Sequence, residues 1–155
     1  MKGQPKMIEK LNALLAEELT AINQYMVHSE MCDNWGYARL HGADEKRAID
    51  EMKHAEQLIG RILFLDGTPD VSTLNKIMIG ASVEKQHRSD LHLEGETIIS
   101  YNEGIRLAAE LGDNGSKDLL ESILKEEEMH LDWIEAQLDQ IGQMGVQTYL
   151  AEQLS

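Results

Sequence analysis

Two short stretches decide how this chain folds: Ile49-Asp50-Glu51-Met52-Lys53-His54 and Glu126-Glu127-Glu128-Met129-His130. Each sets a glutamate and a histidine three positions apart, which on an α-helix stacks both side chains on one face. Glu18 precedes Glu51 by the same interval at which Glu94 precedes Glu127. One Glu…Glu-x-x-His unit is therefore written twice at one internal spacing. Two single glutamates plus two Glu-x-x-His pairs, one contribution from each of four helices, form a donor set that can hold two metal ions in a bundle core. A third pair, Glu84 and His87, falls in the first turn of its helix. An acid is favoured there by the helix dipole and Arg88 offers a surface partner, so this pair reads as structural.

Working outward, the chain reads as all-α. Its 155 residues suit a single domain, 1–155, with a sizeable core. There are only two prolines and one phenylalanine, and Leu, Ile, Ala, Glu, Gln and Met recur at helical spacing. Four long helices are expected at about 5–34, 38–65, 83–111 and 117–141, with a short fifth at about 146–154. Pro5 suits a helix start, Ser82 an N-cap, Gly36 and Gly112 helix stops, and Gly142 with Gly145 the end of the fourth helix. The short Gly-containing connections make helices one and two, and three and four, antiparallel hairpins. The stretch from Asp66 to Ser82 is long enough to run back along the bundle, reaching roughly 55 Å if extended. One long crossover between helices two and three is the ferritin-like arrangement.

Net charge is −14, which argues against nucleic acid or an anionic membrane as partner and favours cations. Cys32 is the single cysteine, so no disulfide framework exists. The first residues lack the apolar core of a signal peptide, and no run approaches the ~20 apolar residues of a membrane span. A cytoplasmic protein is expected.

Glu18, Glu51, His54, Glu94, Glu127 and His130 all fall near the midpoints of their helices, so an antiparallel bundle brings them to one level. Apolar residues flank Glu18, Glu94 and Glu127 at helical spacing; Arg47 makes the face of Glu51 less clean. Four carboxylates in an apolar core are tolerable only with cations, and two divalent ions supply the matching charge. Oxygen-rich shells with one imidazole each suit iron(II) or manganese(II) better than structural zinc, and open positions favour iron and its chemistry with dioxygen or peroxide. His28, His41, His87 and His92 read as surface or capping residues.

Met-Lys-Gly at the start, Ala21-Ile22-Asn23-Gln24-Tyr25, Asp50-Glu51-Met52-Lys53-His54-Ala55, Arg61-Ile62-Leu63-Phe64-Leu65 and Met144-Gly145 with Tyr149-Leu150 resemble bacterioferritin, and the likeness runs from end to end. The resemblance implies a 24-subunit cage, built from symmetric dimers, that oxidises Fe(II) with dioxygen or hydrogen peroxide and stores the ferric mineral. It implies that Glu18 and His54 ligate one iron and Glu94 and His130 the other, with Glu51 and Glu127 bridging. Tyr25 would be an electron donor beside the pair. Met52, from each of two subunits, would ligate a shared haem b, with Ile22, Asn23 and Met26 lining its pocket. A small ferredoxin is the implied reductant for iron release. Some members carry a histidine one turn before Asp50 that completes an inner-surface iron site; here Lys46 stands there, and a protonated lysine cannot ligate. Two other readings compete: a peroxide-destroying di-metal enzyme of the rubrerythrin or manganese-catalase kind, and a haem-carrying bundle whose carboxylates are relics.

Overall fold

A computed structural model describes all residues, Met1–Ser155. Four long helices, α1 (Pro5–Trp35), α2 (Ala38–Phe64), α3 (Val83–Glu110) and α4 (Asn114–Met144), are followed by a short α5 (Val146–Ala151). The bundle is all-α and ferritin-like, as the spacing predicts. Pro5 opens α1, and Gly36 closes it in the left-handed conformation at φ 85°. Ser82 Oγ caps α3 by accepting the Lys85 N–H. Three ends differ from expectation. α4 begins at Asn114 because Asp113, rather than Ser116, is the cap: its Oδ1 accepts the Ser116 N–H at 3.0 Å. α4 then runs through Gly142 and stops only at Gly145, where φ is 81°. α5 ends at Ala151, short of the expected Leu154.

Two apolar clusters mark the ends of the bundle. One gathers Met7, Leu11, Ala55, Leu58, Ile62, Tyr101, Ala108 and Leu120 among its members; the other gathers Cys32, Leu40, Val83, Ile141 and Tyr149. α1 and α4 run from the first cluster to the second, and α2 and α3 run back. α1 packs on α2 and α3 on α4, so the order is up, down, down, up. That order obliges Leu65–Ser82 to travel the length of the bundle. The crossover has no regular structure, yet its backbone groups are served by one face of α1. Asn12 Oδ1 accepts the Asp70 N–H at 2.8 Å, Thr20 Oγ1 that of Asn75 at 2.8 Å, Gln24 Oε1 that of Met78 at 3.1 Å, and His28 Nε2 that of Gly80 at 3.0 Å.

His28 and His87 therefore are not surface residues: both are buried. His28 accepts through Nε2, so its proton sits on Nδ1, 2.9 Å from Asp90 Oδ1. Nε2 of His87 lies 3.0 Å from the Tyr149 hydroxyl, which donates to Gln137 at 2.7 Å and ties α5 to the bundle. Burial, aided by the Arg47 charge, pushes the His87 imidazole down to about 4. His92 is exposed and His41 half-buried. No helix is long and apolar enough to cross a membrane.

Candidate metal centre

Between the two apolar clusters lies a slab of acid. Glu18 from α1, Glu51 and His54 from α2, Glu94 from α3, and Glu127 and His130 from α4 all reach it, and all six are buried. Each helix brings its residues at mid-length, and i, i+3 spacing stacks each Glu-His pair on the inward face. Their ligand atoms form two overlapping groups: Glu18, Glu51, His54 and Glu127, then Glu51, Glu94, Glu127 and His130, with every atom of a group within 4.8 Å of the rest. Glu51 and Glu127 belong to both. Nδ1 of His54 lies 2.9 Å from Glu127 and 3.5 Å from Glu18; Nδ1 of His130 lies 3.0 Å from Glu51 and 3.5 Å from Glu94.

Several inward atoms have no hydrogen-bond partner of good geometry, although they are out of contact with water. Glu18 Oε2, both oxygens of Glu51, Glu94 Oε2, Glu127 Oε2 and His130 Nδ1 are of this kind. Buried polar groups left this way are costly, and here they converge on common points. That is the signature of donors awaiting cations, and the chemistry of the set fits two of them.

Electrostatics agree. Burial, then the neighbouring carboxylates, drive the Glu51 and Glu127 carboxyls well above the usual range. Glu18 moves the other way: burial opposes its charge, but the neighbouring Glu51, His54 and Tyr101 prevail. Burial likewise opposes charging of the imidazoles. The nearby carboxylates of Glu127 and Glu18 nonetheless lift His54 to about 11, and those of Glu127 and Glu94 lift His130 to about 10. Without cations, the cluster neutralises itself with protons.

Two phenols brace the outer glutamates. Tyr25 of α1 donates to Glu94 of α3 through a short bond, and Tyr101 of α3 donates to Glu18 of α1 at 2.6 Å. Sequence reading singles out Tyr25 alone. A signal for Tyr101 is nonetheless present: it follows Glu94 at the interval at which Tyr25 follows Glu18. One constant offset separates the two halves of the centre, taking Glu18 to Glu94, Tyr25 to Tyr101, Glu51 to Glu127 and His54 to His130.

Arg47 belongs to the core too. Its Nη2 donates to Asp44 at 2.8 Å and to Asp90 at 2.9 Å, and its guanidinium stacks 4.2 Å from the Tyr25 ring centroid. The polar residue beside Glu51 is thus buried, not a sign of exposure.

The other candidate residues meet on the outer face of the first hairpin. Ile22, Met26, Ile49 and Met52, with Ser29, Glu30, Glu45 and Ala48, line a cavity of about 300 Å³. Met26, Ile49 and Met52 are 50%, 41% and 45% exposed, which is unusual for a cluster of large apolar side chains. Asn23 is half-buried and does not line it.

A four-helix bundle that turns four glutamates and two histidines onto one buried point is a carboxylate-histidine di-metal protein. The chain matches the ferritin-like domain family over residues 8–144. It is 41% identical over 149 residues to a bacterioferritin of Brucella melitensis, covering 96% of this chain and 92% of that protein. It is 40% identical over 155 residues to the bacterioferritin of Mycobacterium leprae and 39% identical to bacterioferritin BfrA of Mycobacterium tuberculosis, in both cases over 100% of this chain and 98% of the relative. Within the ferritin-like fold, the chain belongs to the bacterioferritin family.

Proposed function

We propose that this chain is a ferroxidase of iron storage, with Fe(II) as substrate at the buried Glu/His centre. The observation that carries this is the pair of overlapping ligand groups. Glu18 and His54 bind one ion, Glu94 and His130 the other, and Glu51 and Glu127, common to both groups, bridge. Two Fe(II) ions give one electron each to a single oxidant. Hydrogen peroxide takes both with two protons and leaves as two waters; dioxygen takes both with two protons and leaves as hydrogen peroxide. The protein supplies alignment and charge cancellation, and arriving cations expel the protons that the imidazoles and bridging carboxyls hold. Tyr101 and Tyr25 each donate to Oε1 of Glu18 and Glu94, leaving Oε2 of each without a hydrogen-bond partner. Tyr25 serves as an electron donor in this reading, which its hydrogen bond to Glu94 supports.

The wider reading is a single domain that assembles into a cage of 24 from symmetric dimers, stores ferric mineral in the cytoplasm and releases it to a small ferredoxin. Its support is the family. The dimer has a further support in the exposed apolar cavity on α1 and α2, a half-site that a second copy would close. The same cavity fits haem. Most of its lining is apolar and it carries a thioether at Met52, and a methionine from each of two copies would hold the iron. Haem bound there would supply an electron carrier of raised potential.

His54→Ala or Glu127→Ala should abolish rapid Fe(II) oxidation while helix content persists by circular dichroism; undiminished oxidation would defeat the assignment. Met52→Leu should yield protein without the haem absorption band that still oxidises iron at the wild-type rate. A large iron-filled particle after aerobic loading, seen by size exclusion, separates storage from a peroxide-destroying enzyme.

A further inference from the structure

We propose that Asp50 and Glu126 are the positioning residues of this centre, each setting the histidine of the opposite helix. This rests on the di-metal reading above and adds the groups that orient its imidazoles. Asp50 precedes Glu51 on α2, yet its Oδ2 lies 3.0 Å from Nε2 of His130 on α4. Glu126 precedes Glu127 on α4, and its Oε2 is in short contact with Nε2 of His54 on α2. The two acids are related by the same offset that relates the two halves of the ligand set. Each ring therefore turns Nδ1 toward the ligand group and Nε2 toward an acid at the rim.

This geometry has a chemical consequence. A ring that ligates through Nδ1 must carry its proton on Nε2. A carboxylate facing Nε2 selects that tautomer, fixes the ring rotation and makes Nδ1 a stronger donor. The Asp50 and Glu126 side chains are 21% and 56% exposed, so both acids stand at the rim of the buried cluster. Asp50 is itself held by Lys46, whose Nζ lies 3.2 Å from the same Oδ2. The lysine thus serves this chain as a tether on the acid that orients His130. Glu126 has no cationic partner other than His54.

The crossing makes the test specific. Full-length protein stripped of metal and titrated anaerobically with Co(II) reports each site by its affinity and by its visible absorption spectrum. Wild-type protein should take two Co(II) per chain; fewer would defeat the di-metal reading itself. In a His54→Ala background the remaining site depends on His130. Adding Asp50→Ala should weaken it by about tenfold to a hundredfold and alter its spectrum, whereas adding Glu126→Ala should leave both unchanged. In a His130→Ala background the two acids should exchange effects. Unchanged affinities in all four double variants, or losses that follow the histidine on the acid's own helix, would overturn the proposal.

Discussion

Arg47 shows what a single side chain can carry. It lies buried between Asp44 and Asp90 and stacks on Tyr25, so its charge answers two carboxylates that have no access to water. Removing it takes the guanidinium from both acids and leaves Asp90 with only Gln24 and His28. Arg47→Ala should lose roughly 3–5 kcal/mol in urea denaturation, against about 0–1 kcal/mol for Lys117→Ala, which breaks an exposed pair with Glu121. At this scale the sequence was partly legible. The six ligand candidates could be found because a histidine at i+3 from a glutamate keeps its meaning inside one helix. Arg47, His28, His87, Asp50, Glu126 and Tyr101 take theirs from other elements: Asp90 on α3, Gly80 on the crossover, Tyr149 on α5, and the crossed pairs of the centre. Spacing along one helix does not reveal a partner across the bundle.

The helices themselves were readable because hydrophobic period and glycine stops are local signals. Their ends moved where a cap competed, as when Asp113 displaced Ser116. The crossover was legible only as a length. Its path depends on Asn12, Thr20, Gln24 and His28, polar residues on one side of α1 that accept its backbone N–H groups. Gln24 does this with Oε1 while its Nε2 donates to Asp90 at 2.8 Å. Gln24→Ala should therefore free the Met78 amide. Its hydrogen exchange should speed up by roughly fivefold, the worth of one such bond at about 1 kcal/mol, while amides in the middle of α4 stay protected. Equal acceleration throughout would instead indicate global destabilisation.

For the whole molecule, the centre sets the pH response. His54 and His130 have folded-state values raised to about 11 and about 10. A raised group stabilises the fold fully below its unfolded value near 6.5, and that contribution fades as pH rises through the folded value. Glu51 and Glu127, also raised, act in the same sense; Glu18, lowered, affects stability only at acid pH, below the ordinary carboxylate value. The melting temperature of cation-free protein should accordingly fall between about pH 6.5 and pH 10. Zn(II), which binds without redox chemistry, should raise it most at the alkaline end, where no protons compete. A flat profile for the cation-free protein would contradict this.

The overlapping ligand groups have one more consequence. Each ligand group draws three residues from one hairpin and a single shared glutamate from the other. Neither hairpin alone can complete a shell, so every ion seated there rivets the two halves of the subunit together. Emptying the centre would therefore also unfasten the waist of the molecule, and the melting temperature of the cation-free protein would register the loss.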